Sequence, residues 1–130
     1  MGVPRLFATL IAIQAAHSVE EYVGRLYESF PPARFVSGLV SSNLERGFVI
    51  ANVVLVAVGV WCALVPVRRG WTAAKTIVTV WVAIELVNGI GHPLWSLLQR
   101  AYTPGVATAP VLLVLSLLLA RELRRHAPIR

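Results

Sequence analysis

Residues 17–21 of the chain read His-Ser-Val-Glu-Glu, and Glu85, Asn88 and His92 follow at spacings of three and four. At 100° per residue, His17, Glu20 and Glu21 span about 100° of one helix, and Glu85, Asn88 and His92 share one side of another. Imidazoles and carboxyls in such number suit two chemistries. Two carboxyl groups in unlike surroundings divide into acid and base, with the histidines as partners. The same groups could chelate one ion, since His17 and Glu21 stand one helical turn apart.

Both groups lie in apolar sequence. The 130 residues are 57% hydrophobic and 14% charged, with a mean hydropathy of +0.72. Soluble domains carry about 25% charged residues. Disordered chains, coiled coils and ordinary water-soluble domains are excluded. All six acidic residues are Glu. Glu28, Glu45 and Glu122 fall in loops or tail, whereas Glu20, Glu21 and Glu85 fall in or beside apolar runs. A carboxylate at mid-bilayer costs about 2.5–3.5 kcal/mol on insertion scales, so those three mark a functional site.

Four runs position them. Spans are expected at about 3–28, 46–67, 71–99 and 104–123, giving one all-α, integral membrane four-helix bundle. The first qualifies only if protein shelters its polar end. Pro31-Pro32 is expected to end the first helix. Residues 42–45 have capping-box spacing before the second, and Thr103-Pro104-Gly105 suits a cap for the fourth. Residues 33–42 could form a short interfacial helix. Pro93, with Gly89 and Gly91, is expected to loosen the third span where it lines a cavity. Asn52 and Thr79 read as interhelical contacts, and Cys62 as a small apolar filler that excludes an intramolecular disulfide. Lys75 and Arg25 are expected to snorkel to the interfaces, and His126 reads as incidental.

The net charge is +6 and the pI about 10.8. No nucleic-acid motif accompanies it, so the basic residues read as loop charges that orient a membrane protein, with no nucleic-acid partner. Eight Lys/Arg fall on the side of the termini against four on the other, which places both termini in the cytoplasm and the chain in a bacterial-type inner membrane. In that orientation spans one and three run parallel. His17 lies about 21 Å along the first and Glu85 about 21 Å along the third, so the two polar groups share a depth.

The order His17-x-x-Glu20-Glu21, then Asn88-x-x-x-His92, then Tyr102-Thr103-Pro104-Gly105 resembles the HXXEE family of small integral membrane proteins across nearly the whole chain. That family has no assigned activity. The resemblance marks His17, Glu20, Glu21, Asn88, His92 and Tyr102 as motif positions.

The reading put first is a membrane enzyme performing acid–base chemistry on an isoprenoid or lipid: isomerisation, cyclisation or epoxide opening. Glu20 or Glu85 is then the acid, Glu21 the base, and His17 and His92 partners or proton shuttles, with Asn88 in the same catalytic group. Trp81, Trp95 and Tyr102 are candidate substrate-binding residues, the indoles through their faces. No cofactor is expected on that reading. A zinc or iron enzyme with His17, Glu21 and His92 as ligands is the alternative. A non-enzymatic proton or solute path, or a structural protein, is the third, and a transporter this small would need to form a homo-oligomer.

Overall fold

The computed structural model describes residues 1–125. His126 and Arg130 lie outside the described residues. Six α-helices are present, and no strand occurs among the described residues.

Helix α1 is Val3–Val23, with Pro4 in its first turn, where a missing N–H costs nothing. It ends sooner than the 28 expected. Gly24 follows, and Arg25 takes a left-handed φ of 58° that turns the chain. A Cβ on Gly24 would run into the Pro104 ring, so glycine lets the later loop close onto this end. A short α2, Leu26–Ser29, leads to α3, Pro31–Val40. Pro31 and Pro32 therefore start a helix rather than end the first one, because both occupy N-terminal positions. The short helix expected at 33–42 is present as α3. It seats Ser37 against α4 and leaves Phe35, Val36 and Leu39 exposed. Gly47 makes that seat possible, since a Cβ there would meet the Ser37 carbonyl.

Helix α4, Leu44–Cys62, is capped by Asn43, whose side chain accepts from the Arg46 amide at 2.9 Å. Asn43, one residue on from the expected Ser42, is the cap. The helix continues as a π-helical turn, Ala63–Val67. Pro66 explains it: the ring offers no N–H and crowds the preceding turn, so the helix widens to bonds such as Arg68 N–H to Ala63 O at 3.2 Å. Gly70, at φ 65°, makes the connection to α5, Ala74–Gln99.

Helix α5 runs through Pro93 without interruption. The expected break does not occur. Gly89 serves close packing instead: a Cβ there would lie 2.7 Å from the Leu113 Cβ of α6. Helix α6 is Ala109–Arg125, and residues 104–108 form a turn ahead of it. Thr103 is not its cap. Thr103 instead pairs with Ser96 through hydroxyl and backbone amide, which fixes the loop to the end of α5.

Helix α6 packs along α5 and α1, and α1 also packs on α4. The apolar core gathers Phe7, Leu10 and Ile11 with Val78, Trp81 and Leu112. Gly59 lets α4 approach; a Cβ there would stand 2.9 Å from Ile11 Cδ1. Outside this core the surface is apolar, with Val53, Val54, Val87, Leu94 and Leu97 all more than half exposed. By length and hydropathy two helices suffice to cross a membrane, Leu44–Val67 and Ala74–Gln99. Four were expected. The difference has a physical basis: α1 carries Arg5, Gln14, His17, Glu20 and Glu21, and α6 has only 17 residues.

Candidate functional site

The polar residues of α1 recur at positions 14, 17, 18 and 21, one face of a helix, and all four are buried. On α5 the buried positions are Val78, Trp81, Val82, Glu85, Gly89 and His92, which repeat at three and four. The two faces meet. His17 is 0% exposed, His92 5% and Glu21 8%.

Three atoms converge at the centre. His17 Nε2 lies 3.2 Å from His92 Nε2 and 3.2 Å from Glu21 Oε1, and His92 Nε2 lies 3.0 Å from the same oxygen. The imidazole rings stand nearly perpendicular, at 86°. The hydrogen bonds of Thr108 fix the role of the other His17 nitrogen, Nδ1. Its hydroxyl donates to Glu20 Oε1 at 2.7 Å, so its free lone pair faces His17 Nδ1, also at 2.7 Å. That nitrogen must then be N–H, and Nε2 is the nitrogen directed into the cluster.

Glu20 joins the cluster through one intervening residue, Thr108. Its carboxylate receives five donors from the segment before α6: Tyr102 O–H at 2.6 Å, the amides of Gly105, Ala107 and Thr108 at 2.9, 3.1 and 3.0 Å, and the Thr108 hydroxyl. Both oxygens act as acceptors, which is the arrangement of an ionised carboxylate at a helix N-terminus. In return the Tyr102 phenol is pushed up to about 12 by its hydrogen bond to that carboxylate.

Gly105 closes the roof. At φ +97°, its Cα sits so near the rings that a Cβ would be 2.5 Å from His92 Nδ1 and 2.9 Å from His17 Cε1. His92 Nδ1 itself has no hydrogen-bond partner.

Glu85 is fully buried, and its Oε2 accepts from Asn88 Nδ2 at 3.1 Å. Of the aromatic residues considered for substrate binding, Trp81 lies in the apolar core with its ring 6.3 Å from Phe7. Trp95 packs against Phe30 with ring centroids 5.2 Å apart and planes inclined at 57°, and Phe30 also approaches the His92 ring at 6.1 Å. Tyr102 is exposed beyond Glu20. An open groove of about 660 Å³ lies between α1 and α4, walled by Val19, Phe48, Val53 and Val56 with Ser18 and Asn52 as polar points. It does not include the His/Glu centre. Asn52 does bridge helices, accepting from Ser18 at 2.7 Å. Thr79 does not; its exposed hydroxyl returns to the Lys75 carbonyl of its own helix.

Gln14 and Thr108 were not among the expected residues. Gln14 was visible at three residues before His17 on the same face. Thr108 was an isolated hydroxyl in an apolar run, and only the fold brings it to His17.

A family model described as proteins of unknown function with an HXXEE motif matches residues 8–120. The chain belongs to the HXXEE family. The motif's two ends, His17 and Glu21, face the centre, and its middle Glu20 ties the motif to the loop before α6. No curated protein and no solved structure matches the chain.

Proposed function

We propose that this HXXEE protein is a membrane-embedded enzyme whose His17, Glu21 and His92 hold one divalent ion, of the zinc or iron class, and act on a hydrophobic substrate. The observation that carries the reading is the triangle of Nε2, Nε2 and Oε1 with sides of 3.0–3.2 Å. Bonds of about 2.0–2.1 Å to a tetrahedral ion would set the same atoms about 3.3 Å apart. Two histidines and one carboxylate leave a position open, which is the donor set of catalytic rather than structural sites. An ion there would polarise a substrate oxygen or activate a water. The Glu20–Thr108–His17 relay suits this role for one ligand, because it holds the far nitrogen of His17 as partners of ligating histidines do, whereas His92 Nδ1 has no such partner.

The apolar groove beside Ser18 fits a hydrocarbon chain, which supports an isoprenoid or lipid substrate. A four-span arrangement of α1, α4, α5 and α6 in a bacterial-type inner membrane, with both termini cytoplasmic, accords with the exposed apolar surface and with eight basic residues against four. A second reading is metal-free acid–base catalysis with Glu21 as the base. It is favoured by the contact of one Glu21 oxygen with both imidazoles.

Native mass spectrometry and elemental analysis of the detergent-purified chain test the first reading. One bound ion per chain, lost in His17→Ala and in His92→Ala, is expected. A folded wild-type chain that binds neither zinc nor ferrous iron on titration overturns it.

A further inference from the structure

Among the described residues, Glu85 is the one fully buried carboxyl group that the proposed centre does not use. Its state can be read from a chain of hydrogen bonds that begins on another helix. The Phe48 carbonyl of α4 can only accept, and Asn52 Nδ2 donates to it at 3.0 Å. The amide of Asn52 is thereby oriented, with Oδ1 toward Ser18. Ser18 donates its single hydrogen to that oxygen at 2.7 Å. Ser18 therefore has nothing left to donate to Gln14, and Gln14 Nε2 donates to Ser18 Oγ at 3.0 Å. The Gln14 oxygen is left facing the two oxygens of Glu85, at 3.0 and 2.8 Å. Three acceptor atoms at that spacing require a hydrogen between them, and only Glu85 can supply it.

We infer that Glu85 is a resident carboxylic acid, donating O–H to Gln14 and held in that form by a one-way chain from Gln14 through Ser18 and Asn52 to the Phe48 carbonyl. Turning the Gln14 amide over would let its nitrogen donate to an ionised Glu85 and its oxygen accept from Ser18. The single Ser18 hydrogen would then be withdrawn from Asn52, leaving two bare oxygens 2.7 Å apart. Turning Asn52 as well would set its oxygen against the Phe48 carbonyl. The acid form leaves no such conflict.

The titratable groups around Glu85 are His17 and Glu21 from α1 and His92 from its own helix. The π-helical turn and residues 109–120 of α6 contain no titratable side chain. A neutral Glu85 thus leaves Glu21 as the anion of the buried centre. Hydrogen-bond direction sets the form of Glu85, and a metal at His17, Glu21 and His92 is not required for it.

Infrared difference spectroscopy of the full chain in lipid vesicles is the test. Wild type minus Glu85→Gln should show a protonated-carboxyl C=O band at neutral pH. Asn52→Leu and Ser18→Ala free the far end of the chain, let Gln14 turn, and should weaken that band at neutral pH while carboxylate bands grow in its place. Comparison of wild type with either of these two keeps the test decisive if Glu85→Gln does not fold. Only carboxylate bands from Glu85 in the wild type would overturn the inference. So would a protonated band of equal strength in wild type, Asn52→Leu and Ser18→Ala. Metal loading is measured separately and bears only on the His17–Glu21–His92 reading.

Discussion

The Nδ1 of His17 stands 2.7 Å from the hydroxyl of Thr108, whose hydrogen is committed to Glu20. One threonine thus connects the two ends of the site. It fixes the imidazole with Nδ1 toward the hydroxyl and Nε2 toward Glu21 and His92, and it anchors the loop that roofs the histidines.

Thr108→Val removes this hold while keeping the side-chain shape. Loss of an outer partner of a ligating histidine reduces metal affinity about 10–100-fold. Zinc competition with a chromophoric chelator should show that loss, and Thr108→Ser should restore most of the affinity. Equal affinity in all three proteins would remove Thr108 from the site.

Glu20 is expected to matter for folding more than for chemistry. Five donors converge on its carboxylate. Glu20→Ala leaves them without their acceptor, at a cost of about 1–3 kcal/mol. The melting temperature in detergent should fall, and Tyr102→Phe should lower it by less, about 1 kcal/mol. A Glu20→Ala protein that melts like the wild type but is inactive would instead assign Glu20 a chemical role.

The same contact predicts a pH effect. The Tyr102 phenol is raised from about 10 to about 12 by its bond to the Glu20 carboxylate. A group whose value rises on folding contributes stability that is fully present below its unfolded value. That stability is lost as pH rises through the folded value. The difference in stability between wild type and Tyr102→Phe should be constant below pH 10 and vanish between about 10 and 12. Ultraviolet titration of the phenolate gives the same window directly.

Gly105 and Gly70 both have positive φ, at 97° and 65°. Only Gly105 faces the rings; nothing lies within 4 Å of a Cβ on Gly70. Gly70→Ala should cost about 1–2 kcal/mol for the backbone alone and leave metal binding intact. Gly105→Ala adds the collision with His92 and His17, for a total of about 2–4 kcal/mol, and should abolish binding. Parallel melting curves and metal titrations compare them.

The legible parts of the fold were those whose cause is local. Residues 44–67 and 74–99 are long apolar runs, and spacing alone placed His17, Glu21 and His92 on meeting faces. The misread positions depend on partners distant in sequence. Pro93 looked like a break, yet α5 continues through it. Thr103 looked like a helix cap, yet Glu20, more than eighty residues earlier, accepts from the amides ahead of α6. Gln14 has meaning only beside Glu85, and the direction of that bond depends on Asn52 of a third helix.

Gly89 and Gly91 share a helix and a turn but differ in what surrounds them. A Cβ on Gly89 would come within 2.7 Å of Leu113 Cβ and 2.9 Å of its backbone; one on Gly91 meets nothing within 4 Å. Gly91→Ala should therefore stabilise by about 0.5–1 kcal/mol, the helix preference of alanine over glycine. Gly89→Ala must push α6 away from α5, and overpacking of that kind costs about 1–3 kcal/mol. Separation of the helices would also carry the roof at Gly105 and Thr108 away from His92, which lies one turn beyond Gly89 on α5. A lower melting temperature with weaker zinc binding in Gly89→Ala, beside a raised melting temperature with unchanged binding in Gly91→Ala, is the expected pair of results. Matching behaviour of the two variants would mean that close approach of α5 and α6 does not position the site.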